Sequence, residues 1–227
     1  YKKRWPGLAI VTVVILIGII IWQFYYEKPS SIETASVKNM VFPLPDKLSI
    51  AVLPFKNMSG DPEQEYIADG ISEDIINTLS HISNLFVMSR SSTFTYKGKP
   101  VKVQQVSEEL GVRHVLEGSV QRSSDRIRIT VQLIDAIKGH QIWSEKYDRN
   151  MSDVFALQDE IAKNIMVELQ VKLTEGEQVR IWRKSTGNFD AYEKFMRGNE
   201  HFRSFSKEGN ILARKLCEEA ISQDNQY

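Results

Sequence analysis

Apolar residues are laid along this chain in three patterns. From Leu8 to Phe24 they run almost unbroken, entered through Lys2, Lys3 and Arg4 and closed by Trp22, Tyr25 and Tyr26. At ~1.5 Å per residue such a run covers a hydrocarbon core of ~30 Å, and its aliphatic side chains favour insertion by roughly 5 kcal/mol. In lipid only a helix satisfies the segment's own N–H and C=O groups. Residues 6–26 are therefore expected to form a transmembrane helix, with residues 1–5 as a cytoplasmic stub on the positive side. A cleaved signal peptide competes, because a basic stub and an apolar core are its marks too, although no small-x-small site follows closely.

The second pattern is short and strand-like. Ser49–Leu53 is an apolar run stopped by Pro54, and Leu85–Met88 is another. Val112–Gln121 leads into Ser123-Ser124-Asp125, after which Ile127, Ile129, Val131 and Leu133 alternate strictly with Arg126, Arg128, Thr130 and Gln132. That is a half-buried strand in a hairpin. A turn at Ala136–Gly139 precedes a fifth strand near Gln141–Tyr147. The third pattern has helical steps. Ile67, Ile71, Ile75, Leu79 and Ile82 form one stripe, Val103, Val106 and Leu110 a shorter one ended by Gly111, and Val154, Leu157, Ile161, Ile165 and Leu169 a third. The order β-α-β-α-β-β-β-α predicts an α/β domain with a mixed sheet, parallel first and antiparallel after, over residues 48–173.

Residues 27–47 hold Pro29, Pro43 and Pro45 among Ser and Lys and read as a linker. As a coil of about 20 residues it has an r.m.s. span on the order of 25 Å, so it transmits proximity better than a small twist. Residues 174–188 read as a second linker, and residues 189–227 as an all-α helical hairpin.

Composition narrows the function classes. Lys and Arg number 29, Asp and Glu also 29, so the net charge is zero. A neutral chain does not suit duplex DNA, and no nucleic-acid contact is expected of the segment present. Cys217 is the only cysteine, so no internal disulfide forms. Its plain reading is a small core side chain. His81, His114, His140 and His201 are scattered without metal-ligand spacing, and no metal or cofactor is expected. Tyr96-Lys97-Gly98-Lys99-Pro100 lacks the earlier glycine and the following Ser or Thr of a nucleotide loop. No Gly-x-Ser-x-Gly elbow is present.

Three places remain as candidate ligand or partner contacts. Asn57–Asp61 lies between the first strand and the first helix, the position of an anion site, yet Asp61, Glu63 and Glu65 would repel a phosphate, and the plain reading is a structural turn. Asp69 and Glu73 stand four apart on the helix face opposite the isoleucines. They could serve as paired carboxylates, or simply form a solvated first turn. The hairpin carrying Arg122, Arg126 and Arg128 is either an anion contact or a solvated sheet face, with Arg126 and Arg128 the candidate contacts. No catalytic residue is assigned.

The segments Ile50-Ala51-Val52-Leu53-Pro54-Phe55, Ser59-Gly60-Asp61-Pro62-Glu63-Gln64-Glu65-Tyr66-Ile67-Ala68-Asp69-Gly70 and Glu73-Asp74-Ile75-Ile76 resemble the TolB amino-terminal-like domain of bacterial transmembrane signalling proteins. The likeness continues through Phe94-Thr95-Tyr96-Lys97-Gly98, Leu116-Glu117-Gly118-Ser119-Val120, Leu133-Ile134-Asp135-Ala136 and Trp143-Ser144-Glu145-Lys146-Tyr147-Asp148-Arg149. The resemblance implies an output domain before the membrane span, either a class III adenylate cyclase or a winged-helix regulator, and tetratricopeptide repeats after the α/β domain. Gly198, Ala213, Ala220 and Asp224-Asn225 resemble one such repeat, although its helix connection is long and Asn225 stands where proline is common. The chain starts at Tyr1 with no initiator Met, and the output domain is expected upstream; further repeats are expected beyond Tyr227.

These readings combine into one expectation. The chain is the extracytoplasmic sensory and protein-interaction segment of a single-pass protein of the bacterial inner membrane, with its N-terminus cytoplasmic and residues 27–227 periplasmic. Its partners are membrane lipid through residues 6–26, a protein through the repeat region, and a second copy in a homodimer, with coupling by a change of oligomeric state. The rivals are a winged-helix output, a membrane-anchored enzyme using Asn57, Asp69 and Glu73, and an envelope scaffold with no output.

Overall fold

Strand β1 (Leu48–Val52) is buried from Ser49 onward, as an apolar run inside a parallel sheet requires. The computed structural model, which describes residues 33–174, 176–177 and 188–225, sets β1 between β3 (Leu85–Val87) and β4 (His114–Ser123), parallel to both. β4, β5 (Arg126–Asp135) and β6 (His140–Asn150) then form an antiparallel meander, giving the order β3-β1-β4-β5-β6. Pro54 has no N–H to offer a ladder, and β1 breaks there. The N–H of Leu53 still reaches Leu116 O at 2.9 Å, that of Phe55 turns to Ser72 Oγ at 2.9 Å, and pairing with β4 resumes in β2 (Lys56–Asn57). Gly118 makes room for this break, since a Cβ there would stand 2.8 Å from the Phe55 ring.

One face of the sheet carries the core. Ile127, Ile129, Val131 and Leu133 of β5, all fully buried, meet helix α1 (Glu65–Ser80) through Ile67, Ile71, Ile75 and Leu79. Helix α4 (Val154–Glu168) lies beside α1 and adds Val154, Leu157, Ile161 and Ile165. Each such aliphatic side chain contributes about 1.5–3 kcal/mol on burial, an upper bound because the unfolded chain already hides part of it. A four-residue helix α2 (Arg90–Thr93) follows β3. Helix α3 (Val103–Leu110) buries Val103 and Val106 and ends on Gly111 in the left-handed region at φ 64°. The rest of the open sheet face is polar: Glu117, Ser119, Thr130, Gln132, Arg126 and Arg128.

The C-terminal residues form α5 (Phe189–Phe202) and α6 (Lys207–Gln223), capped by the side chains of Asn188 and Ser206. Gly198 lets them close, because a Cβ there would lie 3.1 Å from Cys217 Sγ and 3.3 Å from Ala213 O. Residues from Glu33 onward form one compact unit that includes this pair. Tyr192 and Met196 of α5 belong to the main hydrophobic core.

Two expectations are corrected. The fold class loses its membrane helix: among the described residues no helix is long and apolar enough to cross a membrane. Even the longest, α6, carries Lys207, Glu208, Arg214, Lys215, Glu218 and Glu219. Residues 6–26 lie outside the described residues; with no spanning helix among those described, single-pass inner-membrane placement, with a periplasmic 27–227, is withdrawn. The tetratricopeptide region is not shown either. What is present is one helical hairpin that buries its α5 face on α1, where a solenoid repeat would bury it on the next repeat. The described end of the segment read as a linker is also bonded to the domain: Ala35 N donates to Ala136 O at 2.7 Å, Ser36 N to Glu108 Oε1 at 2.8 Å and Val41 N to Glu108 O at 2.9 Å.

Candidate functional site: a charged cleft between α1 and the helix pair

Helix α1 has two working faces. The isoleucine stripe meets the sheet, and the flank carrying Tyr66, Asp69, Gly70, Glu73 and Asp74 meets α5 across a cleft of ≈ 350 Å³. Gly70 sets the approach. Met196 Cβ lies 3.7 Å from where a Cβ at Gly70 would be, and the Met196 thioether occupies the space that a side chain would need.

Each carboxylate on this flank is matched. Lys97 Nζ lies 2.6 Å from Asp69 Oδ2 and 3.2 Å from Glu65 Oε1. Arg203, at the end of α5, grips both oxygens of Glu73 through Nη2, with 2.6 Å to Oε2, while Arg90 Nε approaches the same Oε2 at 3.3 Å. The Arg90 guanidinium also stacks 3.6 Å above the Phe94 ring. Asp74 accepts from the Tyr192 hydroxyl and from Gln158 Nε2 at 3.1 Å, and Gln158 donates to Tyr192 Oη at 2.8 Å, closing a triangle among α1, α4 and α5. Further along, the Tyr66 hydroxyl donates to Glu193 Oε1 at 2.5 Å. Arg197 donates to Tyr66 Oη at 3.2 Å and Arg122 approaches Glu193 at 3.6 Å.

Burial dominates the titration of Asp74 and Asp69. It pushes the Asp74 carboxyl up to about 6, against the hydrogen bonds from Tyr192 and Gln158 and with help from the neighbouring Glu73 charge. Burial likewise raises Asp69, with Lys97 opposing. Asp69 Oδ1 is buried and finds no hydrogen-bond partner among the described residues. Among the described residues no group of three or more His, Cys, Asp or Glu is arranged to hold a metal ion. The arrangement ties the helix pair to α1 through ion pairs and hydrogen bonds, one of them to a carboxyl that titrates at about 6.

A second, wider groove of ≈ 1020 Å³ crosses the open sheet face, with Lys56, Asn57, Lys99 and Lys102 on its walls and Glu117, Ser119, Thr130 and Gln132 on its floor. Burial raises the Glu117 carboxyl, with Lys56 opposing.

The residues singled out in the sequence fall in three separate places. Asp69 and Glu73 are brought together in the α1 cleft. Asn57 and Asp61 spend their side chains within their own loop: Asn57 Nδ2 donates to Asp61 O at 2.8 Å, Asn57 Oδ1 accepts from Ser59 N at 2.9 Å, and Asp61 Oδ1 accepts from Glu63 N at 3.0 Å. Arg126 and Arg128 stand on the far sheet face and both bind Asp148, with Arg128 Nη2 at 2.8 Å. Sequence reasoning missed Asp74, Tyr192, Arg203, Arg90 and Lys97. A glycine in mid-helix at Gly70 was the one local signal that another element comes close.

Comparison with known proteins gives this geometry a context. The family described as HilA/YgeH-like transcriptional regulator, second domain, matches residues 46–182, which is more than half of the chain. A protein of Rhizobium meliloti (strain 1021) named "Putative adenylate cyclase 3" is 51% identical over 183 residues, covering 80% of this chain and 31% of its own length. The chain thus spans about a third of that relative. Among solved structures, TolB from Acinetobacter baumannii aligns with a TM-score of 0.41 at 17% identity, over 57% of this chain and 30% of TolB. Lipoprotein GNA1162 from Neisseria meningitidis aligns at 0.38 and 18% identity, over 56% of this chain and 99% of that one. The family match stops at residue 182, before the α5–α6 pair. Through residues 46–182 the chain belongs to the HilA/YgeH-like transcriptional regulator second-domain family.

Proposed function

We propose that the α/β domain and its docked helix pair are the regulatory, protein-interaction module of a longer signalling protein whose output is of the adenylate-cyclase type. The observation that carries this reading is the 51% identity to a cyclase-named relative across 80% of this chain. The cleft supplies a mechanism. Contacts that are small and polar are the ones that move relative to a packed core, and here release of α5 also uncovers Tyr192 and Met196. A partner that binds α5–α6, or a polar ligand in the cleft, shifts the balance between the docked and released pair by its difference in affinity for the two states. The Arg203–Glu73–Arg90 contact is the latch in this scheme.

The test uses the full-length protein. Arg203→Glu sets like charges together at Glu73, whereas Arg203→Lys keeps the charge. The reading expects cyclic AMP production to change several-fold in Arg203→Glu and to stay close to the parent in Arg203→Lys. Equal production in all three contradicts it. A second reading follows from the family description, in which the output is transcription. Under it, Arg203→Glu alters transcription of a reporter gene while cyclic AMP stays constant.

A further inference from the structure

Strand β6 is an outer strand of the sheet, paired with β5 on its inner edge from Trp143 to Asn150 and again at His140 and Gln141 beyond a bulge. Among the described residues nothing pairs with its outer edge. The middle of β6 reads Glu145-Lys146-Tyr147-Asp148-Arg149, a charge order of minus, plus, neutral, minus, plus. This order reverses its sign when read backwards from Tyr147.

We propose that a second copy of this chain pairs with β6 along its outer edge, antiparallel and with the two-fold axis at Tyr147, joining the two sheets into one. In that register Lys146 faces Asp148 of the second copy, and Glu145 faces its Arg149. Symmetry doubles these to four opposite-charge pairs, with Ser144 facing Asn150 outside them. Facing residues lie on the same side of a sheet, which the register respects. Lys146 and Asp148 are on the open face, opposite Thr130 and Arg128 of β5; Glu145 and Arg149 are on the core side, opposite Val131 and Ile127. The neighbouring registers fail on charge. Centring the axis on Glu145, Lys146, Asp148 or Arg149 sets that residue against its own copy, like charge on like, and forms none of the four pairs. Among residues 145–149 only Tyr147 is a neutral centre. Lys146 is exposed and makes no ion pair among the described residues, so its charge is available to a partner; Asp148 is shared with Arg126 and Arg128, and Arg149 lies 3.6 Å from Glu160, exposed pairs that a second copy would join rather than fill anew.

Charges on an outer strand also occur simply to repel stray strands, and the experiment separates the two roles. Sedimentation equilibrium is run on the 227-residue chain, in a non-ionic detergent that keeps the apolar stretch 8–24 from aggregating. The variants are Lys146→Glu, Glu145→Arg, Arg149→Glu and the double exchange Glu145→Arg/Arg149→Glu, each checked for native circular dichroism. The proposal expects a dimer whose dissociation constant rises at least tenfold in Lys146→Glu and in each single exchange. The double exchange restores opposite charges in every pair and returns the constant to within about threefold of the parent. A monomer at every concentration overturns the proposal. So does a dimer indifferent to Lys146→Glu, or a double exchange as weak as the singles.

Discussion

Replacing Asp74 by Asn tests the physics of the cleft most sharply. In the folded chain burial lifts the Asp74 carboxyl from its ordinary 3.8 to about 6. At 1.36 kcal/mol for each tenfold change in proton affinity, that difference corresponds to about 3 kcal/mol. Asp74 keeps some contact with solvent, which brings the expected effect to about 2 kcal/mol. The sign follows from linkage. An acid that binds its proton more tightly when folded supports the fold at low pH, and that support is lost as pH rises from 3.8 through about 6. Asn cannot ionise, and its amide oxygen still accepts from Tyr192. Urea unfolding at pH 4, 5, 6 and 7.5 should therefore show parent and variant alike at pH 4. By pH 7.5 Asp74→Asn should be more stable by about 2 kcal/mol, roughly 1 M in urea midpoint. Taking the difference cancels titrating groups common to both proteins. A difference that does not change with pH, or a variant weaker than the parent at pH 7.5, refutes the argument.

Glu73→Gln leaves Arg90 and Arg203 side by side without their shared carboxylate; it should cost about 1–3 kcal/mol and speed hydrogen exchange in α5 and α6 more than in β5. Gly118→Ala forces a Cβ to within 2.8 Å of the Phe55 ring. Overpacking there should cost about 1–3 kcal/mol, read as a melting temperature lower by roughly 2–12 °C. Gly111→Ala places a side chain at φ 64° with its Cβ 2.7 Å from Phe42 O. It should destabilise by about 1–3 kcal/mol and loosen residues 35–42, measured by their amide exchange.

Local pattern made most of the α/β domain legible. The stripe Ile67, Ile71, Ile75, Leu79 and the alternation Ile127, Ile129, Val131, Leu133 each repeat at the period of their element, and the structure sets the two against each other. Gly111 ends α3 because only a residue without a Cβ enters the left-handed region freely beside Phe42. β2 had no such signal. A two-residue strand after a proline is fixed by tertiary pairing with β4 and by Ser72 of α1. The carboxylate face of α1 was visible as a pattern, and what covers it was not. Arg203 lies 130 residues from Glu73, and Tyr192 lies 118 from Asp74. Pairings that distant leave no periodic trace. The helix pair resembles a repeat in sequence for the same reason, since the small residues that close α5 on α6 say nothing about the anchors Tyr192 and Met196 that fix α5 to the core. The apolar run that resembles a membrane span lies in residues 6–26, outside the described residues, and every described α-helix carries charged residues.

In the proposed switch α5 leaves α1. Gly70→Cys with Met196→Cys, in a Cys217→Ser background, offers a direct lock, since the two Cβ positions lie 3.7 Å apart, within disulfide reach. Cyclic AMP production by the full-length protein is then measured before and after oxidation. The account predicts that oxidation fixes output at one level, insensitive to Arg203→Glu, and that reduction restores the parent's behaviour. Equal output in the oxidised and reduced forms, with the disulfide verified by mass, would contradict it.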